Sequence, residues 1–204
     1  ARQALALDCV LFAPVGTQPL KPAGATANFA ARAEMARLAI EGEAGFELSL
    51  VDAPRPGGRP NYTIDSLERL GAELPPGSEL FCLMGADSFA LLRKWRRAAE
   101  IPFRAALIVA SRPGERLEEL ERALPEGVWL EGGESAERRV NGVALRSLTL
   151  RNEAGGRAAF HLLPGLDIPT SATEIRRRVR AAENAEELVA RPVIEYIRRH
   201  CLYG

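Results

Sequence analysis

Leu80-Phe81-Cys82-Leu83-Met84-Gly85-Ala86-Asp87-Ser88 reads as a buried strand that ends on a glycine and passes into a helix. The same theme recurs on both sides of it. Upstream, Cys9-Val10-Leu11-Phe12-Ala13 is expected as a buried strand stopped by Pro14, and Phe46 to Val51 alternates like another. Downstream, Ala105 to Ala110 is a third apolar run, turned by Ser111-Arg112-Pro113-Gly114 into a charged helix around Glu115 to Leu124. Segments of helical period lie between. Phe29, Ala33, Ala36 and Ile40 mark one face of a helix running to about Glu41; Ile64, Leu67, Leu70 and Leu74 share a stripe in a helix capped by Thr63 and ended by Pro75-Pro76-Gly77. Asp87 or Ser88 is expected to cap the short helix that reaches toward Trp95. Farther on, Val128 to Leu130, Val143 to Leu150 and Ala158 to Leu163 look like strands, with Glu131 to Arg139 a solvated loop, and helices near Thr173 to Ala182 and Ala185 to His200 close the chain.

Strands alternating with helices predict an α/β fold of Rossmann-like type, a mostly parallel sheet flanked by helices. In such a sheet ligands gather beyond the carboxyl ends of the strands, so the loops after Ala13, Val51, Met84 and Ala110 are expected to form one rim. The 204 residues, 47% of them hydrophobic, suit a single domain spanning 1–204. With 27 Lys and Arg against 27 Asp and Glu, no global field draws in nucleic acid or an acidic membrane surface. No apolar run approaches the roughly 20 residues that a membrane span needs. Three cysteines at wide spacings, Cys9 and Cys82 inside apolar runs, argue against disulfides and zinc and fit a reducing, cytoplasmic setting. The opening Ala1-Arg2-Gln3-Ala4-Leu5-Ala6-Leu7 reads as the tail of a helix without a starting Met, so the natural chain is expected to extend beyond Ala1.

Four constellations carry polar chemistry. Ser171 and Glu174 have capping-box spacing at a helix start, with Thr173 beside them and Arg176 on the first turns; exposed N–H groups, hydroxyls and a cation there suit a phosphate chain, while the bland alternative is a plain helix start with a solvated basic face. Gly85 permits close approach of a ligand to the backbone, and Asp87 could accept hydrogen bonds from a ribose or cap the helix. Trp95, among Arg93, Lys94, Arg96 and Arg97, offers a stacking face or a core side chain. Arg59-Pro60-Asn61-Tyr62-Thr63 could bind a small carboxylate or serve only as a helix entry, and Lys21 lies in a Pro-rich loop after the first strand. His161 and His200 have no Ser, Cys, Asp or second His at useful spacing, so neither a triad nor a histidine-held metal site is expected, and Walker-A and Gly-x-Gly-x-x-Gly sequences are missing.

Taken in order, these pieces resemble bacterial nicotinate-nucleotide adenylyltransferases. The markers are the Pro-rich loop ending in Lys21, Arg32-Ala33-Glu34-Met35, Asn61-Tyr62-Thr63, Met84-Gly85-Ala86-Asp87-Ser88, Lys94-Trp95, Ser111-Arg112-Pro113-Gly114, Ser171-Ala172-Thr173-Glu174-Ile175-Arg176 and the closing Val193 to Ile197 with Leu202-Tyr203. The resemblance implies a nucleotidyltransferase that moves AMP from ATP, with Mg²⁺, to nicotinic acid mononucleotide, in NAD biosynthesis. It implies that Tyr62, Thr63 and Trp95 hold the nicotinate, that Gly85, Asp87, Ser88 and Arg112 face the adenosine, and that Ser171, Thr173 and Arg176 take the phosphates, with Lys21 and Arg176 stabilising charge. It leaves room for a homodimer. The family's His-x-Gly-His motif is absent from this chain, and Pro19-Leu20-Lys21 replaces the frequent Pro-His-Lys or Pro-His-Arg. Two alternatives stand beside this reading: a nucleotide-binding module without turnover, and a sister adenylyltransferase acting on another phosphate such as phosphopantetheine.

Overall fold

The computed structural model describes residues 1–20, 24–111, 117–132, 137–165 and 171–203. In chain order the elements are α1 (Arg2–Leu5), β1 (Val10–Phe12), α2 (Phe29–Ala39), β2 (Phe46–Leu48), α3 (Thr63–Glu73), β3 (Phe81–Gly85), α4 (Ala86–Phe89), β4 (Ala106–Ala110), α5 (Leu117–Arg122), β5 (Val128–Leu130), β6 (Arg138–Val140), β7 (Val143–Asn152), β8 (Arg157–Leu163), α6 (Ala172–Arg180) and α7 (Arg191–Arg199). The chain divides into two compact units, one of Ala1–Leu7 with Tyr62–Asp167, the other of Asp8–Asn61 with Ile168–Gly204.

The first unit is built on a sheet in the order β3-β4-β8-β7-β5, with β6 paired to β7. β3, β4 and β8 run parallel, whereas β7 pairs antiparallel with β8, β5 and β6. β4 lies between two parallel neighbours, and its successive side chains enter different cores. Leu107 and Val109 join Ile64, Phe89, Leu92 and Phe160 on one face; Ile108 joins Ala4, Leu145 and Leu163 on the other. A strand covered on both faces reads as an unbroken apolar run, which is why this one was recognisable. α3 lays Ile64 and Leu67 on the core and stops at Leu74, whose extended backbone (φ −72°, ψ 144°) is the conformation a residue before proline prefers.

The second unit contains a two-stranded parallel sheet, β1 with β2, and the helices α2, α6 and α7. Cys9 to Ala13 was expected as a buried strand, yet the strand covers only Val10–Phe12, Leu11 and Phe12 are 40% and 37% exposed, and Cys9 is exposed. Among the described residues β1 has one strand neighbour, so its apolar side chains lack the covering that a central strand receives.

Other expectations shift for local reasons. α7 starts at Arg191, not near Ala185, because Pro192 fits a first turn and cannot donate within a helix interior. The presumed solvated loop to Arg139 ends in a strand, β6, paired through Arg138 and Arg139 with β7. The cap of α3 is Tyr62, without a side-chain hydrogen bond, so Thr63 is the first helical residue and not the cap. Likewise Gly85 caps α4, and Asp87 and Ser88 lie inside its single turn. The cap of α3 thus lies one residue, and that of α4 two or three residues, before the polar side chains expected to cap them.

Candidate functional site

The parallel register sets Gly85 beside Ala110 and Ala110 beside Leu163, so β3, β4 and β8 end at one level. The next residue of β4's loop, Ser111, is buried and donates its N–H to the Leu163 carbonyl at 3.0 Å. The loops after β3 and β4 therefore leave the same edge of the first unit. Among the described residues, a side chain added at Gly85 would meet nothing within 4 Å. α4 turns Ala86 and Phe89 into the core, which leaves Asp87 and Ser88 exposed.

Trp95 follows a 3₁₀ turn, Leu92–Lys94, and is half-buried against the same core as Tyr62. The neighbouring Arg96 guanidinium lies 4.7 Å over the Tyr62 ring, so the Trp95 segment and the start of α3 meet. The basic cluster around Trp95 is mostly engaged within the protein. Arg97 forms ion pairs with Glu68 and Glu100, and Arg93 donates to the Leu124 carbonyl. What remains is a half-buried indole beside a tyrosine whose ring carries a cation, with Thr63 opening the adjacent helix.

In the second unit, Ser171 caps α6 by accepting the Glu174 N–H at 3.1 Å, as the capping-box spacing implies. The reciprocal arm goes elsewhere: the Glu174 carboxylate binds Arg177 and Arg178 at 2.8–3.0 Å. Hydrogen bonds from Arg177 and then Arg178 hold this carboxyl well below its usual range, at about 2. Arg177 is also paired with Glu183, and Arg180 donates to the Tyr203 carbonyl. Arg176 differs from these neighbours. Its guanidinium donates to two neutral hydroxyls, Thr26 Oγ1 at 3.1 Å and Thr173 Oγ1 at 3.3 Å. An oriented guanidinium bonded to hydroxyls keeps its charge for an anion. Thr26 was not legible as part of this group, because it lies 150 residues from Arg176 and has only the local look of a residue before a helix cap.

In the same unit the loops after β1 and β2 are stitched together. Gly16 donates to the Asp52 carbonyl at 2.7 Å, and Asn61 exchanges hydrogen bonds with Thr17. Of the four loops expected on one rim, those after β1 and β2 are thus bonded together in the second unit, and those after β3 and β4 leave one sheet edge of the first. Lys21 and Arg112, both expected at the site, lie outside the described residues.

Strand pairing also creates a contact that linear spacing hid. Ser147 and His161 face each other across β7 and β8, with Oγ and Nδ1 3.0 Å apart. Burial, and secondarily Arg138, lower the His161 pKa. His161 lines a shallow cavity of about 320 Å³ with Glu79, Phe81, Phe103, Arg104 and Arg157. That cavity opens where β3, β4 and β8 begin, at the opposite end of the strands from Gly85. Among the described residues no three His, Cys, Asp or Glu side chains are grouped to hold a metal ion, and no helix is long and apolar enough to cross a membrane.

No family model matches the chain. Curated relatives do. A probable nicotinate-nucleotide adenylyltransferase of Pelobacter propionicus is 36% identical over 204 residues, the whole of this chain and 88% of the relative. One from Gloeobacter violaceus is 36% identical over 204 residues, with 85% of the relative covered. Among solved structures, Plasmodium falciparum nicotinic acid mononucleotide adenylyltransferase complexed with NaAD superposes with a TM-score of 0.62 at 13% identity, over 97% of this chain and 83% of that one. The same enzyme complexed with APC gives 0.61. At such low identity the structures establish the Rossmann-like α/β fold, and the full-length sequence relatives establish the lineage. The chain belongs to the nicotinate-nucleotide adenylyltransferase family.

Proposed function

We propose that this protein transfers the AMP part of ATP to nicotinic acid mononucleotide, giving deamido-NAD and pyrophosphate. The 5′-phosphate of the mononucleotide attacks the α-phosphorus of ATP, and the bond to pyrophosphate breaks. Such displacements depend on positioning and on stabilising charge spread over phosphate oxygens. The observation that carries the reading is the start of α6. Arg176, steadied by Thr26 and Thr173 and not neutralised by a carboxylate in its described contacts, stands one turn from the Ser171 cap. This group is the phosphate binder. Lys21 adds a second cation to the triphosphate.

In the first unit, Trp95 stacks on the pyridine ring, and Tyr62 and Thr63 receive its carboxylate. The half-buried indole and the meeting of the Trp95 segment with Tyr62 support that assignment. Gly85, Asp87, Ser88 and Arg112 face the adenosine; that no described residue crowds Gly85 suits close approach. The residues assigned to the triphosphate are cations and hydroxyls, which fit phosphate oxygens and not a divalent ion. Mg²⁺ therefore enters with ATP as part of the substrate and shields its charge. The setting for this reaction is the cytoplasm, and a homodimer is the assembly in view.

Pyrophosphate release from ATP, measured with and without the mononucleotide, tests the reaction. Release that requires the mononucleotide supports it; none in its presence overturns it. Two variants test the division of labour by titration with each substrate. Arg176→Ala should weaken ATP about ten-fold or more while leaving the mononucleotide within about two-fold, since one charge-assisted hydrogen-bonding group is removed. Trp95→Ala should do the reverse by about ten-fold, the scale of one lost stacking contact. Equal losses for both ligands in both variants would overturn the assignments.

A further inference from the structure

We propose that Arg96 is the residue that distinguishes the acid mononucleotide from its amide: its guanidinium, seated over the Tyr62 ring, meets the nicotinate carboxylate with its N–H edge. The inference deepens the assignment of Tyr62, Thr63 and Trp95 to the nicotinate and rests on it.

Four cationic side chains flank Trp95, and two of them are engaged by acceptors of the protein itself. Arg93 donates to the Leu124 carbonyl. Arg97 donates to both oxygens of Glu68, at 2.8 and 3.1 Å, and to both oxygens of Glu100, at 2.7 and 2.8 Å. Arg96 is the one that reaches Tyr62. Its Cζ lies 4.7 Å from the ring centroid, and among the described residues its side chain makes no hydrogen bond or ion pair. A guanidinium stacked on an aromatic ring uses its face there, which leaves its planar N–H fork for a second partner. Lys94 has no side-chain hydrogen bond, ion pair or ring contact among the described residues, and a single ammonium on a flexible stem lacks the fork.

The segment that carries Arg96 is held on both sides. Leu92 and Ala98 are buried, and Trp95 packs against the same core as Tyr62. The Arg97–Glu68 pair ties the segment to α3, whose cap is Tyr62. All of these residues belong to the first unit.

A carboxylate presents two acceptor oxygens, which the guanidinium fork can meet with two parallel N–H···O bonds. The carboxamide presents one acceptor and one NH₂ donor. Because a guanidinium has no acceptor, that NH₂ faces only other donors. Arg96 thus attracts the acid by charge and shape and mismatches the amide.

The test is calorimetric titration of the full chain with nicotinic acid mononucleotide and with nicotinamide mononucleotide. Wild type should bind the acid about ten-fold or more tightly than the amide. Arg96→Met should weaken the acid by about ten-fold and change the amide by less than about two-fold, so that the ratio falls toward one. Arg96→Lys keeps the charge and loses the fork, so its ratio should lie between these two. Lys94→Met removes a neighbouring charge that is not seated on Tyr62, and should keep the ratio within about two-fold of wild type. A ratio left unchanged by Arg96→Met, including equal weakening of both mononucleotides, overturns the role of Arg96, as does an equal fall in Lys94→Met. Trp95→Ala separates this failure from that of the pocket. If it leaves both mononucleotides bound as in wild type, the pocket and this inference fall together; if it weakens both while Arg96→Met leaves the ratio unchanged, Arg96 alone is misassigned.

Discussion

Glu174 lies within hydrogen-bonding distance of two guanidiniums, and its pKa of about 2 records that company. A carboxyl depressed in the folded state stabilises the fold above its unfolded value near 4.5 and loses that contribution as pH falls toward 2. Melting temperature measured across that window should therefore decline more steeply in wild type than in Glu174→Gln; parallel curves would show that the exposed pairs contribute nothing measurable, as solvent screening often dictates. At this scale the sequence exposed the cap and hid the partners. Ser171 bonds the Glu174 N–H as its spacing implies, because a cap is a matter of three adjacent residues. Which of four neighbouring arginines keeps its charge for a ligand depends on Thr26, Glu183 and Tyr203, none of which a helical wheel displays.

Among the elements, β4 is buried on both of its faces. Leu107, Ile108 and Val109 are fully buried, and they enter cores on opposite faces. Leu107→Ala should lower unfolding stability by about 2–5 kcal/mol, read from urea denaturation, since a central strand between two neighbours has little freedom to collapse into the cavity. A loss below about 1 kcal/mol would place the residue at a yielding edge instead. The run Ala105 to Ala110 was legible because burial on both faces demands continuous apolar sequence. The similar run at Cys9 to Ala13 misled for the complementary reason. Hydrophobicity reports what a strand can bury, and the neighbours of β1 decide how much it does.

For the molecule as a whole, 27 positive and 27 negative side chains leave no net charge near pH 7. Colloidal repulsion is weakest there, so turbidity of concentrated protein should peak near pH 7 and fall by about pH 5 and pH 9; a minimum at neutrality would contradict the charge count. The balanced charge also leaves anion binding to local groups such as Arg176. The sequence by itself determined the α/β class, the order of strands and helices apart from β6, and the lineage, because each is written in local periodicity, turn chemistry and ordered short motifs. Only the tertiary structure decided that Asn61 is a buried clamp, that Thr26 steadies Arg176 and that Ser147 faces His161. These pairings join residues 44, 150 and 14 positions apart, and hydrogen bonding acts over about 3 Å of space, a distance that chain separation does not encode.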